Sequence, residues 1–179
     1  MNYPSLLEPN GQEEIELPSG KILVPKKQIQ LKEWRGEKIN NTFGEKPLVD
    51  FNGIPFFVEL AILKIGQIAS WEGRWIETYA MKKEGPYFFE NWLDDHLKKQ
   101  KSIAIENETI KALLKKIATQ NGGYSGCWDL LLWKGENFVF IECKKNKEDK
   151  LRKTQLNWLD AALMVGVKKE NFVLLEWNF

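Results

Sequence analysis

Apolar residues recur along this chain with two different periods. Ile110, Leu113, Leu114 and Ile117 fall at i, i+3, i+4 and i+7, the stripe of an amphipathic helix. Asn107 stands where an N-terminal cap belongs, and Gly122-Gly123 where the helix must stop. Residues 128–133 and 138–144 are instead short apolar runs of strand-favouring residues. Lys134-Gly135-Glu136-Asn137 between them has turn composition, so the pair predicts a β-hairpin. Residues 56–68, FFVELAILKIGQI, are almost wholly apolar and predict a buried helix weakened near its end by Gly66. Phe89, Trp92, Leu93, His96 and Leu97 have helical spacing and predict a further helix, with His96 packed on its apolar side. Leu151, Gln155, Trp158 and Ala162 share one helical face that Leu159 and Leu163 widen and Gly166 ends. Residues 171–177 predict a strand beside 138–144, reached by a right-handed crossover.

The N-terminal part is less regular. Residues 1–10 read as a loose polar arm. Residues 14–17 and 21–24 flank Pro18-Ser19-Gly20 as a small hairpin, 28–34 suggest another strand, and 36–50 read as loop. The expected division is therefore an arm and hairpin over 1–50, not independently folded, followed by the main domain over 51–179. Alternating strands and helices around one core give the α/β class.

Composition narrows the function more by exclusion than by direction. The 179 residues suit one domain with a substantial core. A net charge of +1 gives no global basic field, so nucleic acid would need a local positive surface. The eight tryptophans and ten phenylalanines read first as core packing. Two cysteines and no signal peptide point to a reducing, cytoplasmic setting, and with the single His96 they are too few for a structural zinc site. No apolar run is long enough to span a membrane.

The candidate chemistry lies in residues 125–158. Glu142 and Lys144 are two apart and share one strand face, while Cys143 points with Val139 and Ile141 toward the core. Asp129, at the mouth of the neighbouring strand, can converge with Glu142 across the hairpin. Two carboxylates so held repel unless a cation lies between them, and a hard divalent ion with oxygen ligands is the natural one. Lys144 beside it is placed to orient an attacking water. Gln155 is the polar exception on an apolar face and can hold Lys144, a water or a phosphate. The segment KKNKEDKLRK over 144–153 is the basic cluster, next to Glu142. Glu59, inside the apolar run 56–68, needs a partner: an ion pair or the same cation.

These residues resemble the PD-(D/E)xK nuclease superfamily and, more narrowly, its VRR-NUC domain. Gly126-Cys127-Trp128-Asp129-Leu130 is similar to G-x-P-D-L, and Glu142-Cys143-Lys144 to E-V-K. Asp149, Leu151, Gln155, Trp158 and Leu159 keep the spacing of D-x-L-s-x-x-Q-x-x-W-L. Trp128 replaces the usual proline, and Lys145-Asn146 replace Gly-Pro after the lysine. Val58-Glu59-Leu60-Ala61 resembles the V-E-x-L-A helix of the Fanconi-associated nuclease, whose glutamate joins the metal site. Glu77, with Glu72 as the weaker choice, resembles a second glutamate near the metals. Arg74 reads as a surface ion pair with one of them or as a phosphate contact.

The resemblance implies a restriction-endonuclease-like core, a central mixed β-sheet flanked by helices, here with the N-terminal β-hairpin as an extension. It implies a nuclease cleaving DNA with Mg2+, or Mn2+ in its place, without an organic cofactor. One or two ions would be held by the metal ligands Asp129, Glu142 and the Cys143 backbone carbonyl, with Glu59 and Glu77 completing a second site or its water shell, and the catalytic set would be Asp129, Glu142, Lys144, Gln155 and Glu59. Phage-type members suggest a homodimer acting on junctions and the Fanconi-associated enzyme a flap substrate. The setting would be cytoplasmic or nucleoid-associated, or nuclear in a eukaryote. The alternatives are a catalytically idle nucleic-acid-binding module and a protein-interaction domain with this fold.

Overall fold

The computed structural model describes residues 2–82, 85–146 and 149–179, with backbone alone at 80–82. Seven strands form one mixed sheet: β1 (Gly11–Leu17), β2 (Gly20–Gln30), β5 (Glu72–Lys82), β6 (Gly85–Phe89), β7 (Leu130–Lys134), β8 (Asn137–Lys145) and β9 (Phe172–Asn178). Their order across the sheet is β1-β2-β9-β8-β7-β5-β6. A separate short hairpin consists of β3 (Leu48–Phe51) and β4 (Ile54–Phe57). The helices are α1 (Val58–Ile68), α2 (Glu108–Asn121) and α3 (Lys153–Met164). None of the helices among the described residues is long and apolar enough to cross a membrane.

The apolar runs are nearly continuous because the central strands are covered on both faces. Leu130, Leu132, Val139, Ile141, Val173 and Leu175 pack in one core with Leu60, Ile62 and Leu63 of α1. Their strand neighbours Leu131, Trp133, Phe140 and Phe172 pack in a second core with Leu114 and Ile117 of α2 and Trp158 and Leu159 of α3. Period-two alternation thus feeds two cores, and the architecture is α/β with helices on both faces. Gly66 has a packing role: a Cβ there would lie 2.8 Å from a Leu132 methyl, so its absence lets α1 approach β7. β8 and β9 are parallel, joined through α3, as expected for a crossover.

The N-terminal hairpin is present and is woven into the sheet. β2 pairs antiparallel with β1 through its first half and parallel with β9 through its second. Residues 28–34 are therefore no separate strand: 28–30 finish β2, and Leu31 and Trp34 then bond to Asn178 and Leu48. The expected loose arm is anchored as well. Ser5–Leu7 form a 3-10 turn, Leu7 is buried in the α1 core, and the Tyr3 hydroxyl donates to the Glu170 carbonyl at 2.8 Å. Met1 lies outside the described residues.

The helix expected over residues 89–97 does not form. Phe89 ends β6, and Trp92 enters an aromatic cluster with Phe43, Phe57, Trp75 and Phe89. The helical spacing there reflects ring packing. His96 is exposed rather than packed. α2 follows its sequence signals: the Asn107 side chain accepts from Ile110 N, and Gly122 ends it in left-handed conformation.

Candidate active site

The β7–β8 register sets the centre of the site. Leu130 pairs with Ile141, so Asp129, one residue before β7, meets Glu142 and Cys143 of β8. Asp129 N donates to Glu142 Oε2 at 3.3 Å, and Cys143 N donates to Asp129 Oδ2 at 2.9 Å. The N–H and C=O of one strand residue leave by the same edge, so the Cys143 carbonyl also faces the Asp129 side. The approach to Asp129 is fixed by α3. Gly126, at φ 80°, runs against the first turn of α3, where a Cβ would collide with the Thr154 carbonyl. Trp128, fully buried, donates its indole N–H to the Gln155 carbonyl at 3.3 Å and packs edge-on against Phe172. Trp128 thus ties the loop to α3.

Glu142, 1 % exposed, is held on the α3 side. Its Oε1 accepts from Lys144 Nζ at 2.8 Å and from the Gln155 amide. Gln155 Oε1 in turn accepts from Lys144 Nζ at 3.2 Å and from Arg152 N at 2.9 Å. One amide therefore caps α3, orients the lysine and donates to the carboxylate. Only this amide orientation fits, because the flipped one would set NH2 against two donors. Lys145 and Asn146 keep the turn after the lysine: Lys145 N bonds the Asp149 carboxylate and Asn146 N the Trp177 carbonyl. Of the basic segment, Lys147 and Glu148 lie outside the described residues.

Across the cleft, Glu59 sits in the first turn of α1, where helix polarity favours a negative charge. Its partner is Lys46, from the loop before β3, whose Nζ pairs directly with the Glu59 carboxylate. Glu77 arrives on β5: Ile76 N donates to the Asp129 carbonyl at 2.7 Å, which brings the next residue alongside. Its carboxylate accepts from Tyr79 N at 2.6 Å. Glu72 is not brought to the site. It lies exposed at the opposite end of β5, paired with Trp133. Arg74 is not a surface ion pair with either glutamate. It is buried, pairs with Glu90, and donates to the Ile103 and Ala104 carbonyls, pinning residues 103–104 to the sheet.

Asp129, Glu142, Cys143, Lys144, Glu59, Lys46, Lys150 and Arg152 line a cleft of about 330 Å³. A neighbouring cavity of about 420 Å³ continues past Lys46, Asp129 and Arg152 to Glu77 and Tyr79. Burial, then the charge of Asp129, pushes the Glu142 carboxyl up to about 8 against the pull of Lys144. Burial and the charge of Glu59 raise Asp129, with Lys46 and the Cys143 amide opposing. Burial likewise raises Glu77. Burial works against the charge of Lys46, but Glu59 and Asp129 outweigh it and hold the ammonium above its ordinary value. The thiols of Cys127 and Cys143 are pushed well up by burial, so neither is a thiolate ligand at neutral pH.

The donor set suits a hard cation. Two buried carboxylates, Asp129 raised by burial and by Glu59, Glu142 by burial and by Asp129, gain most from a divalent ion, and the Cys143 carbonyl faces the same edge. Side chains alone are insufficient: among the described residues no three acidic, cysteine or histidine side chains converge on one ion position. The carbonyl and water must complete any shell. Lys46, Lys150 and Arg152 are cleft residues that spacing did not single out as site residues. Lys46 lies far upstream in a loop with no motif, and Lys150 and Arg152 are legible only as part of the basic run.

The model of the VRR-NUC domain family matches residues 69–170, more than half of the chain. The match takes in Glu77, Asp129, Glu142, Lys144 and Gln155 and leaves out Lys46 and Glu59. No curated protein and no solved structure matches.

Proposed function

We propose that this chain, which belongs to the VRR-NUC domain family, is a divalent-metal-dependent nuclease that hydrolyses DNA phosphodiester bonds in the cleft between Asp129 and Glu142. Membership of the family implies nuclease function and DNA as the substrate; the metal and the residue roles are our reading. One observation carries it: Asp129, Glu142, Lys144 and Gln155 form a single hydrogen-bonded set at the adjoining ends of β7 and β8, opening into a cleft.

Asp129, Glu142 and the Cys143 carbonyl would hold Mg2+, or Mn2+ in its place. When bound, such an ion neutralises phosphate charge and acidifies water at neutral pH. Lys144 positions the attacking water and offsets the negative charge that builds on the phosphoryl oxygens as the water oxygen bonds to phosphorus and the P–O bond to the leaving oxygen breaks. Gln155 keeps Lys144 on that heading and prevents it from swinging to solvent. Lys150 and Arg152 give the approaching backbone its positive contacts, which explains how a chain with a net charge of +1 receives a polyanion. Glu59 and Glu77 complete the acidic wall around Lys46.

A cleavage assay with Mg2+ or Mn2+ on single strands, duplex, 5′ flaps and four-way junctions tests this. Asp129→Ala, Glu142→Ala and Lys144→Ala should each lose cleavage while keeping the wild-type circular dichroism. Undiminished activity in Glu142→Ala would sink the mechanism. Binding without cleavage by the wild type on every substrate would favour an idle nucleic-acid-binding module.

A further inference from the structure

We infer that Lys46 is a built-in cation occupying the second of two cation positions in the cleft, so that the chain takes up one divalent ion, at Asp129 and Glu142. This rests on the reading of that pair as metal ligands. The ammonium pairs with Glu59, and its charge faces both Asp129 and Glu77. Glu59 is the direct partner, and the charges of Asp129 and Glu77 add to the field that holds the ammonium, so Lys46 supplies the positive charge that a second ion would bring. The far side of the ammonium is closed by aromatic faces, with the Trp75 ring centre at 5.0 Å and that of Phe43 at 5.9 Å.

Lys46 is delivered there by a shaped loop. Phe43, Gly44 and Glu45 all have positive φ, at 42°, 70° and 61°. Two of them are not glycine, so this conformation has a cost that the surroundings must offset. The offset is visible. Phe43 packs against Trp75, Trp92 and Tyr79. Asn40 N and Asn41 N donate to the Asp94 carboxylate at 3.0 and 2.8 Å, and Lys46 N closes the turn on the Thr42 carbonyl at 3.1 Å. A lysine held this way on both its backbone and its ammonium differs from a solvated surface lysine that meets a glutamate by chance.

The consequence is a division of the cleft. A divalent ion placed between Glu59 and Asp129 would meet a fixed positive charge already paired with Glu59, and would have to expel it. On the Asp129–Glu142 side the paired cation engages Glu142 at Oε1, and Glu142 Oε2 and the Asp129 carboxylate lie outside that ion pair. That cation, Lys144, is drawn back onto Glu142 and Gln155 along the α3 wall.

Counting bound ions tests this without reference to cleavage. Mn2+ is titrated into the DNA-free protein, and the free ion is followed by electron paramagnetic resonance, for wild type, Lys46→Met and Lys46→Arg. The expected result is one Mn2+ per chain in wild type and in Lys46→Arg, and two in Lys46→Met. Two ions in the wild type would overturn the inference while leaving the metal site standing, and this outcome needs no variant to fold. A single ion in Lys46→Met with native near-ultraviolet circular dichroism, or two in Lys46→Arg, would overturn it equally. No Mn2+ bound by any of the three would bring down the metal reading itself, and this inference with it.

Discussion

The two walls of the cleft are built in unlike ways. On the α3 wall, Asp129, Glu142, Lys144 and Gln155 come from one continuous stretch, and strand register and the first turn of a helix place all four. On the α1 wall, Lys46, Glu59 and Glu77 come from three separated stretches: a loop, a helix start and a strand. The first wall is joined by short, local hydrogen bonds through Gln155. The second is held by an ion pair and by a loop that stands only while aromatic rings support it. Regular secondary structure can place a charge cheaply, whereas a loop needs packing around it to do the same. The α3 wall should therefore be both the more sensitive to single substitutions and the more essential to the chemistry.

The largest effect should come from Glu142→Gln. It removes the charge that we propose holds the ion, and cleavage should fall about a thousandfold or more, at or beyond the upper range for a single lost electrostatic contact. Stability should respond in the opposite sense. The folded Glu142 carboxyl keeps its proton up to about 8, well above the ordinary value of an unfolded glutamate. In that window the fold binds a proton that the unfolded chain has released, so metal-free stability is full at low pH and is lost as pH rises through about 8. Asp129, also raised, acts in the same sense. Melting curves in a chelator should show wild type losing stability from about pH 5 to 9 more steeply than Glu142→Gln, and added Mn2+ restoring more as pH rises. Parallel curves for the two proteins would show that this wall does not strain a buried carboxylate.

Next come the substitutions that loosen the α3 wall without touching a charge. Gly126→Ala puts a Cβ into the Thr154 carbonyl at a positive φ. A cost of about 3 kcal/mol is expected from the conformation and the overlap together. Cleavage should fall further than global stability, because Asp129 hangs from the same loop. Gln155→Leu leaves Lys144 Nζ, Arg152 N and Glu142 Oε1 each one partner short. It should cost about 1–3 kcal/mol in denaturant titrations and about 10–100-fold in metal affinity. A neutral Gln155→Leu would mean that the network is incidental to the wall.

The same contrast explains what could be read from the chain. Asp129, Glu142 and Lys144 were legible because strand pairing converts spacing into geometry, and Gln155 because a polar residue on an apolar helical face requires a reason. The need of Glu59 for a partner was legible, but its partner was not: Lys46 reaches it through three left-handed residues whose φ values no pattern announces. Arg74 looked like a surface charge and is a buried clamp, since its partners are carbonyls of residues 103 and 104. The false helix at 89–97 has the same origin. Trp92 and Phe89 are spaced as a helix would space them, yet they answer to rings on other elements.

The smallest effect, and the sharpest test of the contrast, is Phe43→Ala. Phe43 is half-buried, and its ring meets Trp75 at 6.0 Å, Trp92 at 5.0 Å and Tyr79 at 6.3 Å. Losing it should cost about 1–2 kcal/mol of stability, less than a fully buried ring. The loss falls on the loop that carries Lys46 and leaves the β7–β8 register and the Gln155 network untouched. Mn2+ binding at Asp129 and Glu142 should therefore persist, and cleavage should fall by less than about tenfold, the effect of roughly 1.4 kcal/mol on a barrier. Hydrogen exchange should quicken in residues 40–47 and stay unchanged in β8 and α3, because local opening follows local packing. If Phe43→Ala instead abolishes ion binding, or raises exchange across β8, the two walls form one cooperative unit and the separation drawn between them fails.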